Sequence, residues 1–177
     1  MRIALLTKYN NYCGREFAKK LEDYNIDYNL ITFSNKSKSN KIEDNRTNGN
    51  WKPQKLNELK NFKINHFNFK TIKSKTFLSH LIQFKYDVGI QGGVEEKIKS
   101  EIINKFKFGI INMHPGDIAF YRGSSSPERQ ILNKEKIKSC CHLLTEELDM
   151  GDILSIKQLK LDYSTYFAMR SSLYPNL

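Results

Sequence analysis

The feature that most constrains this chain is a recurring unit: a short apolar run, closed by a polar or glycine-bearing turn and followed by apolar residues at helical spacing. Arg2–Leu6 is the first run, and the polar segment Lys8–Gly14 after it leads to Phe17, Leu21 and Tyr24 on one helical face. A second strand is predicted at Tyr28–Phe33. Further on, Phe77, Leu78, Leu81 and Ile82 mark a helix, Tyr86–Ile90 a central strand ending in Gly92-Gly93, and Val94, Ile98 and Ile102 the next helix. Phe108–Asn112 and Cys140–Leu144 read as further strands. Strands that alternate with helices pair in parallel through crossovers, so the predicted fold is α/β and Rossmann-like, a mostly parallel central sheet with helices on both faces.

Length makes one domain, residues 1–177, the expectation. Ser34 to Asn50 is rich in Ser, Asn, Lys and Asp and nearly free of large apolar side chains, so it is expected to be a loop or a mobile insertion. Gln54–Leu59 reads as a short helix and His66–Phe69 as a short or edge strand. The apolar start gives way too early, at Lys8–Asn11, for a signal peptide or a membrane span, which points to a cytoplasmic protein. The formal charge of +10 suits an anionic partner such as a nucleotide, a phosphate, a polyglutamate tail or RNA. Lysine is spread through the whole chain, however, so the charge follows from composition without a nucleic-acid role. Three cysteines do not make a disulfide framework, and the adjacent Cys140-Cys141 would alternate faces in a strand, so no metal site is expected; Cys13 reads as a loop residue.

Chemistry is expected where ligands of open α/β sheets bind, beyond the carboxyl ends of strands. Asn112 and His114 stand at such an end, and Asp149 lies in the glycine-bearing loop Leu148–Gly151. Singly, each would satisfy local backbone groups or turn a loop. Jointly they suit acyl transfer to an amine: Asn112 and a protonated His114 donate to the oxygen on which negative charge develops, and Asp149 raises the imidazole pKa, orients the ring and accepts a proton through water. No covalent enzyme intermediate is required. His142, on the strand leading to the Asp149 loop, is expected to pack inward as a support, and His66 and His80 to have no part in catalysis.

The strings Ile-Asn-Met-His-Pro-Gly at 111–116, Tyr-Arg-Gly at 121–123 and Leu-Asp-Met-Gly-Asp-Ile-Leu at 148–154 resemble the folate-dependent formyltransferase family. Its shared catalytic domain occurs in glycinamide ribonucleotide, methionyl-tRNA and nucleotide-sugar formyltransferases. The resemblance implies a catalytic trio of Asn112, His114 and Asp149, with 10-formyltetrahydrofolate as formyl donor. It also implies a donor site built largely from backbone groups, at Gly93, Val94, Glu95, Glu96, Lys97 and Ile98 and at Leu144, Thr145, Glu146, Glu147 and Leu148. Gly92-Gly93 can equally serve as the turn from strand to helix.

Two departures bear on the acceptor. The first loop lacks the Gly-x-Gly-Ser-Asn phosphate cradle of the glycinamide ribonucleotide enzymes, although backbone amides near Asn10 and Asn11 could still hold an anion. Gly116–Ala119 stands where many members carry Ser-Leu-Leu-Pro. Arg122, in an Arg-Gly-x-x-x-Pro string like that of the tRNA and sugar enzymes, would bind an anion or brace its loop. The chain ends at Leu177, and the C-terminal domain with which methionyl-tRNA formyltransferases help hold tRNA is expected to be absent. The expected partner is therefore a small-molecule primary amine, a nucleotide-linked amino sugar ahead of others, with nucleic acid and membrane disfavoured and a homodimer left open. The family's deformylases, similar at Thr145–Asp149, make a hydrolase the alternative; a degenerate nucleotide- or RNA-binding domain is a third reading.

Overall fold

The computed structural model describes residues 1–33 and 38–177. In chain order the elements are β1 (Ile3–Lys8), α1 (Tyr12–Asp23), β2 (Asn29–Phe33), α2 (Ser39–Thr47), α3 (Lys60–Ile64), β3 (His66–Phe69), α4 (Lys75–Phe84), β4 (Val88–Gln91), α5 (Ser100–Ile103), β5 (Ile110–His114), α6 (Ser126–Leu132), β6 (Lys138–Leu143), β7 (Ile153–Gln158) and α7 (Tyr166–Leu173). They form one seven-stranded sheet in the order β3-β2-β1-β4-β5-β6-β7. The strands β3 to β5 pair in parallel, whereas β6 runs antiparallel to β5 and β7 antiparallel to β6. The predicted Rossmann-like α/β fold is the observed one.

Alternation along the strands builds the two faces. Ala4 and Leu6 of β1, with Ile31 and Phe33 of β2, pack with Phe77 and Leu81 of α4 and Ile102 of α5. Ile3 and Leu5, with Leu30, pack on the other side with Ala18 of α1 and with Leu56 and Leu59. Nearly all of these side chains are inaccessible, each worth about 1.5–3 kcal/mol for the larger aliphatic and aromatic ones. A third cluster, Ile137, Leu159, Met169 and Leu173, seats α7.

Four expectations are corrected. Most of the polar stretch expected to be a loop, 34–50, is helix α2; its residues 34–37 lie outside the described residues. This helix has no apolar stripe to announce it, because what it buries is Glu43 against Arg170 of α7 and Thr47 over its own backbone. The helix expected from Val94 is irregular backbone until the four-residue α5 begins at Ser100. Val94, Ile98 and Ile102 do face one core, but Glu95 has a left-handed φ of 61° that no helix continues through. Tyr24 and Ile82 share the helical spacing yet are 74% and 54% exposed. Cys13 belongs to α1 and is partly buried rather than in a loop, and burial, helped by the nearby Glu43 carboxylate, pushes its thiol up to about 12.

Candidate active site

β5 delivers two polar side chains, Asn112 and His114, to the same side of the sheet at its carboxyl end. The antiparallel β6 brings His142 directly opposite Asn112, and the β6–β7 connection carries Asp149 back over that end. This connection is tightly specified. Asp149 sits at a left-handed φ of 52°, and a Cβ on Gly151 would lie 1.7 Å from the Leu143 carbonyl oxygen. Only glycine can let the loop close there.

Asp149, buried to 4% exposure, stands between two imidazoles. Its Oδ2 is 3.5 Å from His114 Nδ1 and accepts the Gly123 N–H at 2.7 Å; its Oδ1 is 3.6 Å from His142 Nε2. The outer nitrogens of both rings face carbonyl oxygens. His114 Nε2 is 2.8 Å from Tyr121 C=O and 2.9 Å from the Ser126 hydroxyl, and His142 Nδ1 is 2.9 Å from Leu143 C=O. A carbonyl only accepts, so those nitrogens carry the hydrogens, and in the neutral rings His114 Nδ1 and His142 Nε2 are the bare ones. His142 Nε2 then accepts from Asn112 Nδ2 at 3.0 Å, which fixes which way the Asn112 amide faces and leaves its second N–H for another acceptor.

The charges balance differently from the sequence expectation. Burial pushes the His114 pKa down, and although Asp149 pulls it up, the net shift is below the ordinary value of 6.5. His114 is therefore neutral at pH 7 and offers an acceptor at Nδ1, where the sequence led us to expect a protonated donor. For Asp149, burial works against the carboxylate, but His142, the Gly123 N–H and His114 together outweigh it and hold the pKa below its ordinary 3.8. Protonation of His114 at Nδ1 would turn its 3.5 Å contact with the Asp149 carboxylate into a charge-assisted one.

Beside this trio opens a cleft of about 630 Å³, lined by Gln91, Glu95–Ile98, Asn112 and Leu144–Asp149. It joins two segments far apart in sequence, both expected to hold a donor, to two of the three expected catalytic residues. Of the expected donor-site residues, Gly93 and Val94 are the ones outside the lining: Val94 is buried in the core, and Gly93, at φ 92°, packs so closely on Asn11 that a Cβ would fall 2.2 Å from Asn11 Oδ1. The space is of the size that holds a bicyclic heterocycle and its first substituents, and mixed backbone and apolar walls suit such a ring.

The residues expected to meet an acceptor are not gathered in the cleft. Arg122 is exposed, and its carbonyl accepts from the Arg129 guanidinium. Asn10 is exposed at φ 68°, and its carbonyl accepts from Asn40 Nδ2 at 2.6 Å. Asn11 is buried and caps α1, its Oδ1 accepting from the Cys13 and Gly14 N–H groups at 2.9 and 3.2 Å. The Tyr12 N–H goes to Asn40 Oδ1 at 2.9 Å. The backbone amides at the start of α1 are thus satisfied from within the chain.

Sequence reasoning passed over Gln91, Ser126, the Tyr121 carbonyl and the Gly123 N–H. The one available signal was the Tyr-Arg-Gly-Ser-Ser-Ser-Pro string taken with Gly116 before it: a Cβ on Gly116 would lie 2.8 Å from that of Ser126, where α6 begins against His114.

Comparison with known proteins places the chain in a family and a fold. The family model described as formyl transferase matches residues 1–166. The chain is similar to the methionyl-tRNA formyltransferase of Finegoldia magna, 38% identical over 66 residues, covering 37% of this chain and 21% of that protein. It is also similar to the methionyl-tRNA formyltransferase of Orientia tsutsugamushi, 27% identical over 99 residues, covering 55% of this chain and 32% of that protein. These matches span less than a third of either relative's length. Among solved structures, phosphoribosylglycinamide formyltransferase from Campylobacter jejuni superposes with a TM-score of 0.69 at 14% identity, covering 99% of this chain and 90% of that one. A sugar N-formyltransferase from a Shewanella species superposes at 0.60 and 18% identity, covering 99% and 64%. At such identities the structures speak for the fold.

Proposed function

The chain belongs to the formyl transferase family, and from that premise we propose that it transfers the formyl group of 10-formyltetrahydrofolate to a primary amine. The observation that carries this reading is Asp149 set between His114 and His142, with Asp149 and Asn112 both lining the 630 Å³ cleft. The pterin end of the donor would lie against Glu96–Ile98 and Leu144–Leu148, where backbone groups meet its polar edge. Once bound, the donor supplies an electrophilic formyl carbon.

The chain's own residues do the rest. As the amine nitrogen bonds to the formyl carbon, negative charge develops on the formyl oxygen, and the second N–H of Asn112 donates to it. His114 Nδ1, neutral and bare, takes the proton that the amine must lose, and Asp149 stabilises the imidazolium at 3.5 Å. His114 then returns that proton to the departing nitrogen as the carbon–nitrogen bond of the donor breaks. His142 holds Asn112 from one side and Asp149 from the other, so donor and base keep a fixed relation.

The acceptor we propose is a nucleotide-linked amino sugar. A second acceptor has its own support, since the similar sequences named above are methionyl-tRNA formyltransferases. The test is purified protein with 10-formyltetrahydrofolate and, in separate arms, a nucleotide-linked amino sugar, methionyl-tRNA or no amine. Mass spectrometry should find a formylated acceptor in one arm. Formate released at the same rate without any amine would make the protein a hydrolase and overturn transfer.

A further inference from the structure

The sheet order reverses between β1 and β4, and the crevice outside such a reversal is where open α/β sheets receive ligands. A set of donors converges on it. Lys8, at the end of β1, is 7% exposed; Asn11 is 1% exposed; and the N-terminus of the nine-residue α2 points its first N–H groups the same way. An ammonium, a side-chain amide, a hydroxyl and two helix-start N–H groups are the chemistry that meets a phosphate.

Here the anion is supplied by the chain. Glu95 Oε1 accepts from the Ser39 N–H at 3.1 Å, from the Ser39 hydroxyl at 2.8 Å and from Asn11 Nδ2 at 3.2 Å. Its Oε2 accepts from the Lys38 N–H at 3.0 Å and lies 3.6 Å from Lys8 Nζ. The reach is set by backbone geometry, because the left-handed φ of 61° at Glu95 turns this side chain away from the path a helix would have given it.

We propose that Glu95 is a specificity-determining residue: an internal carboxylate that fills the switch-point anion cradle and so denies it to a phosphate on the acceptor. With the start of α1 also satisfied by Asn11 and Asn40, an acceptor whose only anchor is a terminal phosphate monoester meets donors that are already engaged, among the described residues of this crevice. The consequence for the acceptor rests on the formyl-transfer reading; the closed cradle does not.

The test therefore uses binding alone, with neither folate nor amine. Thermal unfolding of the full chain is followed while inorganic phosphate is titrated at constant ionic strength. Wild type should shift no more than with chloride. Glu95→Ala leaves the donors and removes the anion, so phosphate at about ten times its dissociation constant should raise its Tm by about 3–5 °C. Lys8→Ala added to Glu95→Ala should abolish most of that rise. Glu95→Ser, which keeps an oxygen for the helix start, carries the same comparison if the alanine variant does not fold. An equal rise in wild type, no rise in a folded Glu95 variant, or a full rise without Lys8 would each overturn the proposal.

Discussion

The carboxyl edge of the sheet has two halves built on opposite rules. Around β1, β4 and α2, polar groups meet one another: Asn11, Ser39 and Glu95 are joined by hydrogen bonds, Lys8 pairs with Glu95, and Asn40 holds the Tyr12 N–H and the Asn10 carbonyl beside them. Around β5 and β6, the rings are fixed on their outer side by carbonyls, and the inner nitrogens of His114 and His142 face the Asp149 carboxylate at 3.5 and 3.6 Å. The first half has the order of a finished interior. The second holds an arrangement that improves when a proton arrives, which is what a site for proton transfer requires. The difference shows that polar side chains at a strand end are no sign of chemistry in themselves; what distinguishes a reactive set is which groups the fold leaves short of a partner.

The matched half can be broken at its buried ion pair. Arg170, 1% exposed, donates to Glu43 at 2.7 and 3.0 Å, and Glu128 lies 3.5 Å away. Arg170→Met should cost about 3 kcal/mol in urea unfolding, because it leaves the buried Glu43 carboxylate with Arg46 alone, 3.0 Å from one of its oxygens. Replacing Glu43 by Leu as well should return much of that loss. If the single variant unfolds like wild type, the first half is not held by its charges.

In the other half, His114→Asn should lower turnover by a factor on the order of a hundred or more with the unfolding midpoint little changed, since the base is lost and the shape kept. Undiminished turnover would move the chemistry elsewhere. Gly151→Ala tests the loop that carries Asp149. The added methyl must displace the Leu143 carbonyl, and a loss of about 1–3 kcal/mol in stability should accompany a drop in turnover.

The smallest effect is in pH. The His114 pKa is depressed in the folded state, so the unfolded chain binds the extra proton first. Stability is full above the unfolded value of 6.5 and falls as pH drops through that value toward the folded one. In the same way kcat/KM should hold steady down to below pH 6.5. An acid limb above 6.5 would mean that Asp149 outweighs burial. Asp149→Asn should move the limb lower still, because it removes the carboxylate that, ahead of the Tyr121 carbonyl, pulls His114 up.

Much of the reactive half was legible in the chain. Asn112 and His114 are two apart at the end of an apolar run, and Asp149 precedes a glycine by two, so strand alternation and loop geometry already place them. His142 was legible as a support because it falls on the strand that leads to the loop. The matched half was not. Ser39–Thr47 has the composition of a loop, and its helix exists because Glu43 finds Arg170 from far along the chain. Glu95 is placed by the family resemblance in the donor site with Glu96 and Lys97, and nothing local says that its carboxylate crosses to Ser39.

By itself, then, the amino-acid sequence determined the alternating α/β order, the mostly parallel sheet and the placing of Asn112 and His114 at a strand end and of Asp149 in a glycine-bearing loop, because each depends on spacing within a short segment. Tertiary structure decided that α2 is a helix, that His114 is neutral and that the switch-point donors are filled. Those outcomes turn on burial and on partners brought together from distant segments, and neither is written in any one stretch of residues.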